Sequence, residues 1–449
     1  MKYIIVFLSF VMLSSMAYAQ KKVPLSTQAA DWQAKLEQAQ QNVGCDSIVF
    51  FAKQAGSCYK RLNNWEKYIT MEEAAARCFY DQKNWEKAGL MYDTALVNSK
   101  KYLSKLHLIT AQITHTRGQI HYYLGEFNDA LLCFNEALNT TKILYGEKHE
   151  LVGTYFASVG LANYKKSFFN QAIGAFDKSL AIRRKLYGEK HEKIAEIYTY
   201  LGDAYNQQGF YDKSLEFSQK GLTIQKELFG ESHLSVAASY FSICLAYKAK
   251  GYYDKSLEYA LSALQIRKQL SGENTLEVAA TYRLIGDIHV DKVLYDKALE
   301  YFDKFLTIEK NLVGERHPDI AKAYSNIGRI FRAKQQNDNA LPYFQKALEL
   351  QEEFLGWQHL DVADTYNDLG DVHLEQKDYK QALTYYTLAV ELQESIKKQE
   401  DEALKKDNKQ KKKYKGTERT NHLVSFSYNK IGRLYILTKE FEKAVETFE

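Results

Sequence analysis

GEKH occupies residues 146–149, and the same tetrapeptide recurs at 188–191. The four positions continue as GESH at 230–233, GENT at 272–275, GERH at 314–317 and GWQH at 356–359, a constant step of 42. A second ladder runs beside this one at the same step: Gly118, Gly160, Gly202, Cys244, Gly286, Gly328 and Gly370. A third holds Ala130, Ala172, Ser214, Ser256, Ala298, Ala340 and Ala382. The register reaches upstream to Ala76, Ala88 and Ala95, and resumes downstream at Gly432 and Ala444 after an inserted stretch. A fixed long period of this kind is the mark of a repeat architecture.

Each period reads as two helices. In 195–229, AEIYTYLGDAYNQQGFYDKSLEFSQKGLTIQKELF, apolar residues recur at three- and four-residue steps on both sides of GFYD. That stretch is the turn. Its last residue, Asn128, Asn170, Asp212, Asp254, Asp296 or Asp338 in successive periods, suits a helix N-cap. The aromatic before it (Phe127, Phe169, Tyr211, Tyr253, Tyr295) suits a staple onto the new helix. Small residues recur where two helices cross closely. Phe305 replaces Ala137, Ser179, Ala263, Ala347 or Ala389, which predicts a wider crossing there.

The Leu-Gly-x-x-Tyr of LGDAY, the Tyr-Asp-Lys-Ser/Ala-Leu of the second helix and the late small residue resemble the tetratricopeptide repeat. The usual period is about 34 residues. With a step of 42 and a Gly-Glu-x-His turn, this chain resembles the kinesin-light-chain type. The resemblance covers roughly 69–449. It implies an all-α, right-handed superhelical solenoid of antiparallel helix pairs. Residues 20–68 read as capping helices, 69–396 as the array, 397–420 as a Lys-rich insertion and 421–449 as a last unit. The chain stops at FEKAVETFE, partway into a second helix, so the last unit reads as truncated.

His149, His191, His233, His317 and His359 share one position, with Thr275 in the remaining copy. Pro318 follows His317, and proline favours the first helical position. The histidines therefore fall where each first helix needs an N-cap. A shared metal is excluded by distance: packed helix axes lie ~8–10 Å apart, whereas ligands of one zinc ion sit at ~2.0–2.1 Å from it. No metal or cofactor site is expected. G-x-S-x-G, P-loop, H-E-x-x-H and dinucleotide fingerprints are all absent; HELVG at 149–153 lacks the second histidine. The expectation is a chain that is not an enzyme.

The leader at 1–19, MKYIIVFLSFVMLSSMAYA, has a lysine, an apolar run and a small-x-small end at Ala17-Tyr18-Ala19. It reads as a signal peptide cut before Gln20, which sends the chain to the periplasm or outside the cell. Nothing after it is apolar enough for a membrane span. Export permits disulfides. The five cysteines (Cys45, Cys58, Cys78, Cys133, Cys244) show no framework, and Cys58–Cys78 is the pairing neighbouring helices would allow. Net charge is +4, concentrated in 397–415, where nine lysines face four acids. With no Arg-rich recognition helix nearby, that run reads as a helix extension followed by a solvated loop, and nucleic acid is not an expected partner.

The resemblance further implies a groove lined by first helices, at positions three before, one after and four after the glycine ladder. In this chain they include Tyr164, Asp203, Asn206, Lys248, Arg283, Asp287, Arg329, Arg332, Asn367 and Asp371, with Lys322 beside them. Gln119, Tyr122 and Leu161 make the early part neutral and aromatic. Lys322, Arg329 and Arg332 are suited to hold a partner's carboxylate; Arg329 is equally placed to bridge Asp287 and Asp371 on neighbouring repeats. The expected function is an exported, non-catalytic scaffold that binds protein or peptide. The alternative is the recognition arm of a larger enzyme, since bacterial arrays of this look often precede a caspase-like peptidase or a histidine kinase.

Overall fold

A computed structural model describes residues 23–42, 44–406 and 416–448. Among the described residues there are twenty helices and no strand, and the chain divides after Gly230 into two compact units. The first holds α1 (Leu25–Asn42), α2 (Cys45–Arg61), α3 (Trp65–Asp81), α4 (Trp85–Tyr102), α5 (Leu108–Tyr123), α6 (Phe127–Tyr145), α7 (Glu150–Lys165), α8 (Phe169–Tyr187), α9 (Glu192–Gln207) and α10 (Tyr211–Phe229). The second holds α11 (Leu234–Ala249), α12 (Tyr253–Ser271), α13 (Leu276–Asp291), α14 (Tyr295–Val313), α15 (Pro318–Ala333), α16 (Asn337–Leu355), α17 (Leu360–Glu375), α18 (Tyr379–Lys406), α19 (Gly416–Leu437) and α20 (Phe441–Phe448). Within each unit every helix packs on the next. Helices of 16 and 19 residues, joined by turns Lys166–Phe168 and Gly188–His191, account for the period.

The Gly-Glu-x-His stretch is a structural turn. Its glycines, Gly146 to Gly356, all hold φ between 77° and 86°, the left-handed conformation that ends a helix. The histidine Nδ1 then accepts the backbone N–H two residues on. Leu151 donates to His149, Lys193 to His191, Ser235 to His233, Asp319 to His317 and Asp361 to His359, all at 3.1–3.3 Å. Thr275 Oγ1 caps its helix too, accepting from the Val278 N–H three residues on at 3.3 Å. His107, outside any Gly-Glu-x-His motif, caps α5 through Ile109 at 3.2 Å. The turn's glutamate pairs back onto the helix it follows, as Lys268–Glu273 does at 2.8 Å.

The three-residue turn differs from its expected form. Asn128, Asn170, Asp212, Asp254, Asp296 and Asp338 are not N-caps; they sit second in their helices. The N-caps are Glu126, Phe168, Phe210, Tyr252, Leu294 and Gln336, with no side-chain cap bond. A left-handed residue (Gly125, Ser167, Gly209, Gly251, Val293 or Gln335) reverses the chain one step before the cap, so the helix starts early. The displaced Asn and Asp side chains instead tie one helix pair to the next. Gln208 donates to Asn170 at 2.7 Å, Lys334 to Asp296 at 2.7 Å and Gln376 to Asp338 at 3.0 Å. Phe127 and Phe169 pack back against Tyr122 and Tyr164 of the preceding helix, at 5.6 and 5.7 Å, rather than forward as staples.

The glycine ladder seats aromatic rings. A Cβ on Gly118 would lie 2.7 Å from Phe134, on Gly286 3.2 Å from Phe302, on Gly328 2.8 Å from Phe344, and on Gly370 2.5 Å from Tyr386. Gly160 meets Phe176 in the same way. Each ring lies sixteen positions after its glycine and is almost completely buried. Where Cys244 replaces the glycine, the ring position is Ala260. Phe305 is buried as well, and α14 and α15 pack more loosely than any other consecutive helices of their unit.

The N-terminal end carries a disulfide, although the cysteine spacing shows no framework, and it is not the Cys58–Cys78 pairing that neighbouring helices allow. Cys45 bonds Cys78 with Cα atoms 5.7 Å apart, while Cys58 is buried and free. Cys45 opens α2 and Cys78 lies near the end of α3, so the antiparallel pair brings them together. Cys58 is thirteen positions further along α2, about 20 Å away. The signal-peptide reading lies outside the described residues, as does 407–415 of the insertion; α18 extends to Lys406.

Two stability measurements follow. Gly328→Ala drives a methyl into Phe344, and overpacking costs about 1–3 kcal/mol, partly offset by about 1 kcal/mol of helix propensity. Chemical denaturation should show a net loss in the wild-type background and a gain in a Phe344→Ala background; equal effects would refute the ring contact. Burial lowers His115 to about 3, with Nε2 held 2.8 Å from Ser158 and the ring stacked on Tyr155. An unfolded histidine titrates near about 6.5, so below that pH the unfolded state binds the extra proton and stability falls until about pH 3. Between about pH 7 and 5 the wild type should lose about 2 kcal/mol more than His115→Gln; parallel losses would show that His115 is not buried neutral.

Candidate functional site

Positions three before, one after and four after the ladder glycine repeat at helical spacing, so they share one face of each first helix. In the first unit this face carries Tyr164 on α7 with Asp203 and Asn206 on α9. Burial, then the charge of Asp203, push the Tyr164 phenol up to about 12, so it stays a neutral donor. Burial and Tyr123 likewise push Tyr122 up to about 12. Asn206 buries Oδ1 with no hydrogen-bond partner. The early part of the face is therefore aromatic, with Asp203 as its charged member and one orphaned acceptor at Asn206.

In the second unit the face is charged, and its charges are largely taken up between consecutive first helices. Lys248 on α11 pairs with Asp291 at the end of α13 at 2.9 Å. Asp287 accepts from Asn326 at 2.8 Å and lies 3.8 Å from Arg283. Arg329 bonds Asp368 at 2.7 Å, and Arg332 bonds Asp371 while lying 3.5 Å from Asp368. Asp371 also accepts from Tyr386 at 2.7 Å and Lys430 at 2.6 Å. Burial pushes Asp287 up against the pull of Arg283, Lys248 and Lys322, and pushes Asp368 up against that of Arg329 and Arg332. Asn367 donates to Ser427 at 2.8 Å.

The predicted residues Arg329, Arg332 and Asp371 thus come together, but Arg329 takes Asp368 in place of Asp287 and Asp371. Asp368, Asn326 and Lys430 were missed. A signal existed for the first two. Asp287/Asn326, Arg329/Asp368 and Arg332/Asp371 share one sequence separation, 39, about a helical turn short of the repeat. Among these side chains two further polar atoms lie buried without partners, Nε of Arg283 and Oδ1 of Asn367. Elsewhere Glu309, His317 and Asp319 bring possible metal-ligand atoms within 4.8 Å, yet His317 Nδ1 already caps α15 through the Asp319 N–H.

A tetratricopeptide repeat model matches residues 68–143, 193–251, 236–311 and 319–395, and a second such model matches 427–449. The chain belongs to the tetratricopeptide repeat family. The apo form of the quorum sensor NprR from B. thuringiensis superposes with a TM-score of 0.58 at 15% identity, over 82% of this chain and 98% of that one. A Rap protein complexed with Competence and Sporulation Factor gives 0.56 at 14%, over 84% and 99%. Kinesin light chain repeats from Podosopora anserina give 0.39 at 15%, over 46% and 98%. These likenesses are of fold. None of the curated proteins matches the chain.

The ladder of ion pairs has a measurable consequence. Asp368 keeps only 10% of its side chain exposed, and stripping a buried acid of its partner costs about 3 kcal/mol or more. Arg332→Met should destabilise the second unit by about that much, and adding Asp368→Asn and Asp371→Asn should restore part of it. Unchanged melting in Arg332→Met would mean the arginine is free to serve a ligand.

Proposed function

We propose that this tetratricopeptide repeat protein is an exported, non-catalytic binding protein whose first-helix faces take up a protein or peptide partner. The observation that carries the proposal is the tetratricopeptide repeat array with a half-buried aromatic and polar face on its first helices: Tyr122, Tyr164, Asp203 and Asn206 in the first unit. In the second unit the charged side chains of that face are largely engaged with neighbouring repeats. Recognition then rests on aromatic and amide groups, with the ion pairs holding the helices at fixed spacing. A rigid face of that kind avoids the ordering cost of assembling a site at binding. The arrangement of helices is shared with a Rap protein solved in complex with Competence and Sporulation Factor, which supports a bound partner as the use of the fold. Export is supported by the apolar leader at 1–19 and by the Cys45–Cys78 bridge, which suits an oxidising compartment.

Photo-crosslinking in the native host tests this reading. A benzophenone side chain at position 164 or 206 should trap a discrete adduct; the same group at Glu258, exposed on α12, should not. Equal adducts from all three positions would refute a preferred face.

A further inference from the structure

The exposed face of the second helices changes character along the chain. One repeat position is leucine on both α4 and α6, as Leu90 and Leu132; it is Glu216 on α10, Glu258 on α12 and Glu300 on α14. Val97 has Thr223, Gln265 and Thr307 as counterparts, and Ile143 has Glu227, Gln269 and Asn311. The later residues are what a solvated helix face needs. Leu90, Leu132, Ile143 and Val97 are 71%, 70%, 68% and 66% exposed, and no other large hydrophobic side chain among the described residues is more exposed.

The four side chains belong to one strip. Leu90 and Val97 lie seven positions apart on α4, and Leu132 and Ile143 eleven apart on α6, so each pair shares one side of its helix. Leu90 and Leu132 are equivalent in the repeat, and Lys100 of α4 reaches Glu136 of α6 at 2.8 Å, so the two helices stand side by side. Helices of 18 and 19 residues make the strip about 28 Å long and, at ~10 Å per helix, about 20 Å wide. That projection of roughly 560 Å² grows with side-chain relief into the ~600–1,000 Å² each partner gives to a specific interface. An exposed apolar patch of this kind marks an interaction surface.

The charges on α4 say what covers it. Glu86 and Lys101 frame the apolar pair; both are exposed, and neither forms an ion pair among the described residues. Glu86, Leu90, Val97 and Lys101 fall within about 60° of one another around the helix. Their order is acid, leucine, valine, base, at steps of four, seven and four. Read from the other end the steps are the same, with base in place of acid. A second copy of α4 laid antiparallel therefore sets Leu90 against Val97 twice and Glu86 against Lys101 twice. Asp93 falls at the middle, where Arg117 already holds it at 2.6 and 3.1 Å, so no bare like charges meet. We propose that the chain forms a two-fold dimer through α4 and α6, each copy covering this strip on the other. A two-fold interface uses the same patch on both partners, residue i meeting j and j meeting i, and that is the pairing the α4 stripe provides. On α6, Leu132 of each copy faces the Ile143 end of the other. The strip lies on second helices, away from the first-helix face discussed above, so either reading can fail while the other stands.

Sedimentation equilibrium of the full chain tests the dimer. The wild type should associate at micromolar concentration, and Leu90→Glu with Leu132→Glu should raise the dissociation constant at least about tenfold. Glu86→Lys alone and Lys101→Glu alone should each weaken association by setting two like charges together. The two combined should restore it, because each new lysine then meets a new glutamate. All four altered side chains are exposed, and circular dichroism checks that the variants stay helical. A wild-type chain that stays monomeric, including one that binds anionic lipid vesicles instead, overturns the proposal. So does a dimer that survives the leucine changes, or a pair of charge changes whose effects add rather than cancel.

Discussion

The contact on which the array depends is a ring laid against a residue with no side chain. In five of the repeats a buried Phe or Tyr of the second helix occupies the space that a Cβ on the first helix would need. That contact fixes how closely the two helices of a pair approach, and burial of one such ring is worth roughly 2–3 kcal/mol. Its two members are interdependent. Gly202 faces Ser218 and Cys244 stands opposite Ala260, so when one side grows or the other shrinks the pair still fits. The constant period follows, because helices of fixed length between fixed turns return the next glycine to the next ring.

Recurrence made most of this legible before any coordinates. A glycine repeated at constant spacing, followed by a histidine that a threonine can replace, describes a turn and a cap, since only a hydrogen-bond acceptor is common to His and Thr at that point. What recurrence did not supply was position to within a residue. Asn128 and its counterparts were of the right type for an N-cap, but a left-handed residue three steps earlier moved the helix start ahead of them. The freed side chains then found partners on the neighbouring helix pair, far along the chain, which no local rule anticipates. The disulfide escaped for a related reason: spacing along the chain says nothing of which end of one antiparallel helix meets which end of the next.

The candidate face was legible as a set of positions and illegible as chemistry. Arg329 and Arg332 look like a clamp when read alone. Across neighbouring first helices they belong to Asp368 and Asp371, and a ligand's carboxylate would have to displace those acids and leave them buried and bare. The cost of an unpaired buried charge exceeds what one new pair contributes.

A repeat array also separates structure from use in a way a globular domain does not. Every position that obeys the ladder has a packing job visible in its copies, so the copies serve as internal controls. Departures from the ladder are met within it: Cys244 stands opposite Ala260 and Gly202 opposite Ser218, so a change on one helix has to be read together with the residue sixteen positions on before any use is assigned to it.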